Sequence, residues 1–556
     1  MLQLNGMIIK KLVKYWRFIF QVRFVFIANL IIFIFLLARN PFSERTLIPN
    51  LEPYPDTIHY TLPPRSLVMG GPFMIYREDR SARTSVGPLY SLTLIPFYLI
   101  NHDVRMFYFA NVLMSLVSLW LLFLILKKIT EDKLVVGLTL FLFVTNYFNY
   151  WFPQWAMAEN LLMPIFFFGV WLLMSKPRIG YVFGAALVTV AFYATKKACA
   201  PLTIVFAIMY LLKLLVSKNR FKNTMWFVLF SVVIFLPLLW YQITYIGGNP
   251  LEVFSGLFSH FSKSGQIASV VTPTSVGNAW FSMKYLTINL PLYLKALVGD
   301  RARFLWDFTP VVSRWVGVLG LFGLFTAIFV RRFRLISVTL IFLLLGEILF
   351  MSVFYAFDMR YVYHAIPTLL LGFAILMSLS RDFFERKRMS KVFVCLVVII
   401  FGTYFLKNAV RLKSQIMINV KYAETPWYYI SVLKLNDFFT KEKVVNDNKP
   451  IVISPMPPYY IDYYSNGNYE LLPLSNDQEF RHGMNETWGT RDYSDLFKIY
   501  RDYLKSGRSL YVSTYGLGNE AYLHKSFDNL RKTFMLEEVY DGCYTQCKIY
   551  QVKISK

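Results

Sequence analysis

Between its first two apolar runs the chain carries a polar stretch, Asn50-Leu-Glu-Pro-Tyr-Pro-Asp56-Thr-Ile-His59-Tyr60 and then Met74-Ile-Tyr-Arg77-Glu78-Asp79-Arg80-Ser-Ala-Arg83-Thr-Ser-Val-Gly87-Pro88-Leu89-Tyr90. Carboxylates, guanidiniums, prolines and aromatics stand here beside very apolar sequence. Charge next to lipid is costly and persists mainly where it pairs or acts. The stretch is therefore a candidate active site, with residue types suited to acid–base and anion-binding chemistry. Each residue also has a plainer reading. Asp56 follows Pro55 and could cap a turn or a helix start. Glu78 and Asp79, in Arg77-Glu-Asp-Arg80, could form a solvated charge cluster, and Arg83 could pair with either. Asp56 and His59 together could hold a divalent cation, or His59 could simply be solvated.

Further along, charge recurs at the ends of apolar runs. Glu159 opens one of them just after Trp151 and Trp155, where the helix dipole alone favours a carboxylate. Lys196 and Lys197 close another, ahead of Pro201. Lysines there also snorkel to headgroups, and two in succession point in different directions, so at most one faces a shared pocket. Arg360 follows Asp358, with which it could form a local ion pair. Glu347 lies deep in an apolar run. An acid there is a candidate site, and a hydrogen bond between helices, or a place near the cytoplasmic half, is the simpler expectation.

Composition sets the scaffold that must position these residues. Of 556 residues, 56% are hydrophobic and 16% charged, well below the roughly 25% charge of soluble domains. Runs of about 18 or more mostly apolar residues follow one another, each long enough to cross roughly 30 Å of hydrocarbon. The alternating strands of an outer-membrane barrel are absent from the sequence. The net charge of +25 is scattered between the runs. That suits cytoplasmic loops and membrane lipids and argues against a nucleic-acid partner.

The expected fold is an α-helical polytopic membrane protein with about eleven transmembrane helices over residues 1–407. Lys10, Lys11, Lys14, Arg17 and Arg23 flank the first, which predicts a cytoplasmic N-terminus. Basic clusters at Lys127–Lys128, Lys176–Arg178, Lys213–Lys222, Arg331–Arg334 and Arg381–Lys391 mark later cytoplasmic turns. The alternation predicts a first outer loop over 39–105 and a large outer loop over 246–308. Within the first, residues 87–101 are apolar but too short to span, and read as an interfacial or re-entrant helix. After 407 the spans cease. Short apolar runs at 450–454, 509–513 and 547–553 predict strands, with helices between, in a small extracytoplasmic α/β domain over 408–556. Cys199 and Cys395 read as packing residues. Cys543 and Cys547 could form a disulfide outside the cell, and Asn485-Glu-Thr487 matches a glycosylation sequon. The four cysteines form no metal framework.

The order of these pieces resembles the GT-C glycosyltransferases, closest in layout to the aminoarabinose transferases of lipid A and the protein O-mannosyltransferases. That family follows its first span with an acidic residue, a basic residue and a Pro-Pro-Leu-Tyr-like stretch, similar to Asp56, Arg83 and Gly87-Pro88-Leu89-Tyr90. Arg105-Met-Phe-Tyr-Phe-Ala-Asn111 resembles the opening of its next span. Glu159-Asn160-Leu161 resembles an acidic start of a later helix, Lys196-Lys197-Ala-Cys-Ala-Pro201 a basic element before proline, and Arg360-Tyr361-Val-Tyr-His-Ala-Ile-Pro367 a late Arg-Tyr run. The likeness covers residues 15–380. It departs where Asp56-Thr57 stands for an acidic pair, Gly87 for a first proline and Lys196-Lys197 for an arginine.

The resemblance implies a polyprenyl-phosphate-linked sugar donor, a lipid, glycan or protein acceptor, and transfer on the outer side of the cytoplasmic membrane, in the cell envelope. It implies Asp56 as base, with Glu159 orienting acceptor or base. Arg83, Lys196, Lys197 and Arg360 are implied as ligands of the donor phosphate, with Glu78, Asp79, His59 and Tyr90 as secondary members. No cofactor is implied for certain; a divalent cation on Asp56 and His59 stays open. So do two other readings, a polymerase or ligase of lipid-linked glycans and a transporter or flippase of lipid-linked sugars, the last calling for broken helices and mid-membrane charge.

Overall fold

In hydrocarbon every backbone N–H and C=O must be satisfied within its own segment, so apolar runs become helices. The structure, a computed structural model, describes residues 22–42; 56–241 apart from 72, 74, 78–79 and 83–85; 243; and 283–421 apart from 305–306 and 355–356. It also describes 435, 437–439, 450–455, 469–475, 495–514, 517, 521–541 and 548–555. Five described helices are long and apolar enough to cross a membrane: Val104–Ile129 (with its opening 3-10 turn), Arg220–Tyr241, Arg334–Ser352, Ala365–Arg386 and the apolar part of Ser390–Lys421. A sixth span forms if Lys133–Val144 and Tyr147–Gln154, bent by 56° at their junction, count as one. Shorter apolar helices are Val22–Leu37, Glu159–Leu173, Ile179–Thr195, Ala200–Leu215 and Arg314–Ala327. The chain is thus a multi-pass helical membrane protein.

Three stretches differ from the sequence expectation. The described part of the stretch expected as a first outer loop is largely regular structure. Asp56–Val68 is a helix despite Pro63 and Pro64 inside it, and a two-stranded hairpin pairs Ile75–Arg77 with Arg80–Ala82. Pro88–Asn101, by contrast, is the helix expected over residues 87–101; it begins with proline at its first position, where the missing N–H is not needed. The stretch expected as the large outer loop contains the helix Met283–Leu297 and leads into the hairpin Arg301–Phe304 with Asp307–Pro310. The last apolar helix runs on from Ser390 to Lys421, so the change of composition near 408 falls inside a helix.

Helices joined by short turns run antiparallel, and this brings alternate ends together. At one end of the bundle basic side chains cap helix C-termini, where carbonyls and the dipole attract cations. Lys213 donates to the carbonyls of Leu173 and Ser175 at 2.5 Å each, and Lys128 to Ser175 Oγ at 2.5 Å. Arg332 donates to the carbonyls of Lys128 and Ile129, and Arg381 pairs with Asp132 at 2.8 Å. The candidate site lies at the opposite end. Its late segment is held by Arg314–Ala327 packed on Ala365–Arg386. There Gly320, Gly323 and Gly372 let the backbones touch: a Cβ at Gly320 would overlap the Leu369 carbonyl, and one at Gly323 the Gly372 carbonyl. Small residues at such spacing are a membrane packing device.

Among the C-terminal residues a five-stranded sheet runs in the order Glu470–Pro473, Ile451–Ser454, Leu510–Ser513, Lys548–Ile554, Phe534–Asp541. The first three strands are parallel and the last two join antiparallel. The central strands Ile451–Ser454 and Leu510–Ser513 are buried along their whole length, as parallel strands covered on both faces must be. Helices Leu496–Lys505 and Ala521–Thr533 complete a hydrophobic core distinct from that of the bundle.

Candidate functional site

The turn between Glu159–Leu173 and Ile179–Thr195 is short, so the first residue of one helix comes level with the residue just past the end of the other. Glu159 Oε1 and Lys196 Nζ meet there at 2.5 Å. The carboxylate side chain is 0% exposed and the lysine 13%. Lys196 is therefore not a headgroup-seeking lysine; its ammonium is drawn inward by a buried acid. The second oxygen, Glu159 Oε2, has no hydrogen-bond partner among the described residues.

A third element comes from the 3-10 turn Met359–Val362 ahead of the Ala365–Arg386 helix. Asp358 caps it: Oδ1 accepts from the Arg360 N–H at 3.0 Å, and the carboxylate lies 3.6 Å from Arg360 Nε. The local ion pair expected from sequence thus forms, and Arg360 reaches the site as well. Its guanidinium lies over the Tyr361 ring, 4.7 Å from the centroid, and donates to the Tyr361 hydroxyl at 2.8 Å. Lys196 Nζ lies 5.1 Å from the same ring. A cation over an aromatic face is favourable, so Tyr361 joins both cations. Arg360, Tyr361, Tyr363 and His364 line a narrow cavity whose apolar wall includes Leu162, Phe192, Cys199 and Leu202.

A hydrogen-bonded frame fixes the surrounding helix ends. Tyr90 donates to Asn111 Oδ1 at 2.8 Å, and Asn111 Nδ2 donates to the carbonyls of Pro153 and Trp155. Asn160 Nδ2 donates to the carbonyls of Trp155 and Met157. Tyr363 donates to Asn149 Oδ1 at 3.0 Å. Burial pushes the Tyr90 phenol well above its usual range, so it stays a neutral donor. Gly87 lies against the end of Ile179–Thr195, where a Cβ would overlap the Ala194 carbonyl. The residue two before Lys196 is thereby pinned to the Gly87-Pro88 stretch.

The structure therefore brings Glu159, Lys196, Arg360 and, through its frame, Tyr90 to one end of the bundle. Asp56 opens the Asp56–Val68 helix, which packs on Pro88–Asn101 with Tyr60 edge-on to Tyr90 at 5.3 Å; its side chain lies outside the described set, as does that of Lys197. Glu78, Asp79 and Arg83 lie outside the described residues, as do Asn485, Cys543 and Cys547. His59 is a helical residue, 4% exposed, rather than a solvated loop histidine. Among the described residues no three His, Cys, Asp or Glu side chains gather as a metal site. Glu347 departs from expectation: it lies near the Ser352 end of its helix, the end that faces the site, and neither of its oxygens makes a hydrogen bond among the described residues. Sequence reading passed over Tyr361, although an aromatic beside Arg360 was the available signal.

No protein-family model matches the chain, and no curated protein matches it. Its fold does match solved structures. ArnT from Cupriavidus metallidurans bound to undecaprenyl phosphate superposes with a TM-score of 0.57 over 95% of this chain and 97% of that one, at 11% identity. The same protein in the apo state gives a TM-score of 0.57 with the same coverage, at 13% identity. At such identity the likeness is one of fold alone, shared over nearly the full length of both chains.

Proposed function

We propose that this chain is an integral membrane glycosyltransferase that moves a sugar from a polyprenyl-phosphate donor to a lipid, glycan or protein acceptor on the outer side of the cytoplasmic membrane. One observation carries the reading. Glu159, Lys196 and Arg360, far apart in sequence, converge beside an apolar-walled cavity. They do so in the fold of ArnT, a GT-C glycosyltransferase whose structure holds undecaprenyl phosphate.

In the reaction the bond from the anomeric carbon to the phosphate oxygen breaks as a bond to the acceptor oxygen or nitrogen forms. The acceptor's proton passes to a base and the polyprenyl phosphate leaves as a monoester. Asp56 is the proposed base, on the helix that leans on Tyr90. Arg360 is the proposed clamp for the leaving phosphate, because a guanidinium forks onto two oxygens and stabilises charge as it grows. Arg83 and one of Lys196 or Lys197 are proposed to share that charge, with Glu159 holding Lys196 in place. The N-terminus is assigned to the cytoplasm and residues 408–556 to the outer side.

The test is binding of undecaprenyl phosphate and sugar transfer by the purified protein. Arg360→Ala is expected to weaken binding about tenfold or more, the size of a charge-assisted hydrogen bond. Undiminished affinity would remove the phosphate clamp and with it the reading.

A further inference from the structure

The helix Met283–Leu297 has no part in the reaction above, yet two of its side chains reach the segment that carries Arg360. Asn289 and Tyr293, four residues apart and so on one face, are both buried. Asn289 Nδ2 donates to the Phe354 carbonyl at 2.7 Å and to the Ser352 carbonyl at 3.4 Å. Ser352 ends its helix, and the last carbonyls of a helix have no donor within it; Asn289 supplies one from another element. Tyr293 donates to the Asp358 carbonyl at 3.3 Å, and its ring meets Phe357 edge-on at 4.7 Å.

From these contacts two short routes lead to the guanidinium. Phe354 stands edge-on to Tyr361 at 5.3 Å, and Tyr361 is the ring over which both Arg360 and Lys196 lie. Asp358 holds the Arg360 N–H with its carboxylate, while its carbonyl accepts from the Tyr361 N–H as well as from the Tyr293 hydroxyl. The turn Met359–Val362 is a single 3-10 turn. Its hydrogen-bond geometry is poorer than that of an α-helix, so its direction depends on what holds its start. A small misplacement of a group that must meet a reacting phosphate is costly. We propose that Asn289 and Tyr293 are positioning residues for the Arg360 clamp: they touch no substrate, and they fix the backbone on both sides of Phe357 so that the guanidinium is aimed before lipid arrives. The inference rests on the glycosyltransferase reading.

The full-length protein in nanodiscs is titrated with undecaprenyl phosphate. Asn289→Leu, which keeps the branched shape and removes the donor, should weaken binding about fivefold, the size of one neutral hydrogen bond. Tyr293→Phe, which keeps the ring and removes only the hydroxyl, should weaken it about threefold, and it decides if the Leu variant does not fold. Both substitutions are then made beside Arg360→Ala. Acting through the guanidinium, they should lower affinity no further once it is gone, whereas a merely loosened scaffold would lower it by the same factor in both backgrounds. Unchanged affinity in the single variants, or equal losses with and without Arg360, overturns the positioning role and leaves the glycosyltransferase reading standing. A wild type that does not bind undecaprenyl phosphate, or Arg360→Ala binding as the wild type does, overturns that reading instead.

Discussion

Lys196 is held by Glu159 inside the protein, and for such a pair the loss of water nearly offsets the attraction. Removing one member strands the other's charge. Glu159→Ala is expected to destabilise the protein by about 3–5 kcal/mol, read as a lower Tm in detergent. The double variant Glu159→Met with Lys196→Met should recover most of that loss; a double variant as unstable as the single one would show that the pair is not the cause. Asp56→Asn is expected to slow transfer by about 100- to 10,000-fold, the usual scale for a general base, without loss of undecaprenyl phosphate binding. Full turnover would remove Asp56 from the base role. Glu159, Lys196 and Arg360 were legible as charges at the ends of apolar runs. Their convergence was not, because it depends on which helix ends share a level. Glu347 misled for the same reason: depth in a run of apolar letters does not say which end of the helix is nearer.

Among elements, the contact of Arg314–Ala327 with Ala365–Arg386 has the least room to spare. Gly323→Val would push a branched side chain into the Gly372 carbonyl. The expected cost is about 1–3 kcal/mol, as for other overpacked interfaces, together with weaker lipid binding as the Arg360 turn shifts. A Tm equal to wild type would show that the helices part without penalty. Gly87→Val should act on the other side of the site, lowering transfer by displacing the Ala194–Lys196 turn. The apolar helices were readable from length and hydropathy. Asp56–Val68 and Met283–Leu297 were not, since internal prolines signal a break and both carry them. Packing against neighbouring helices, which sequence does not display, keeps them helical. Ile451–Ser454, Leu510–Ser513 and Lys548–Ile554 were visible as short apolar runs, whereas Glu470–Pro473, bearing a proline and an acid, was not.

Across the whole molecule charge is polarised. Lysines and arginines that cap helix C-termini gather at one end of the bundle, and the acid-paired cations of the candidate site at the other. If the first end is cytoplasmic, as the positive-inside rule predicts, side is testable with single cysteines in a cysteine-free background. A cysteine at His102 should react with a membrane-impermeant maleimide added outside intact cells, and one at Lys387 only after permeabilisation. The reverse pattern would invert the topology and place the site in the cytoplasm. The charge alternation that predicts this was fully present in the sequence; the number of crossings was not, because several apolar helices are shorter than a bilayer needs and one span is bent.

Glu159 and Lys196 neutralise each other where little solvent reaches them. Ionic strength does little to a pair so screened from water, so its attraction should be nearly the same in dilute and in concentrated buffer. On the proposed function, an anion that arrives on something apolar then has the advantage at this site over one in free solution.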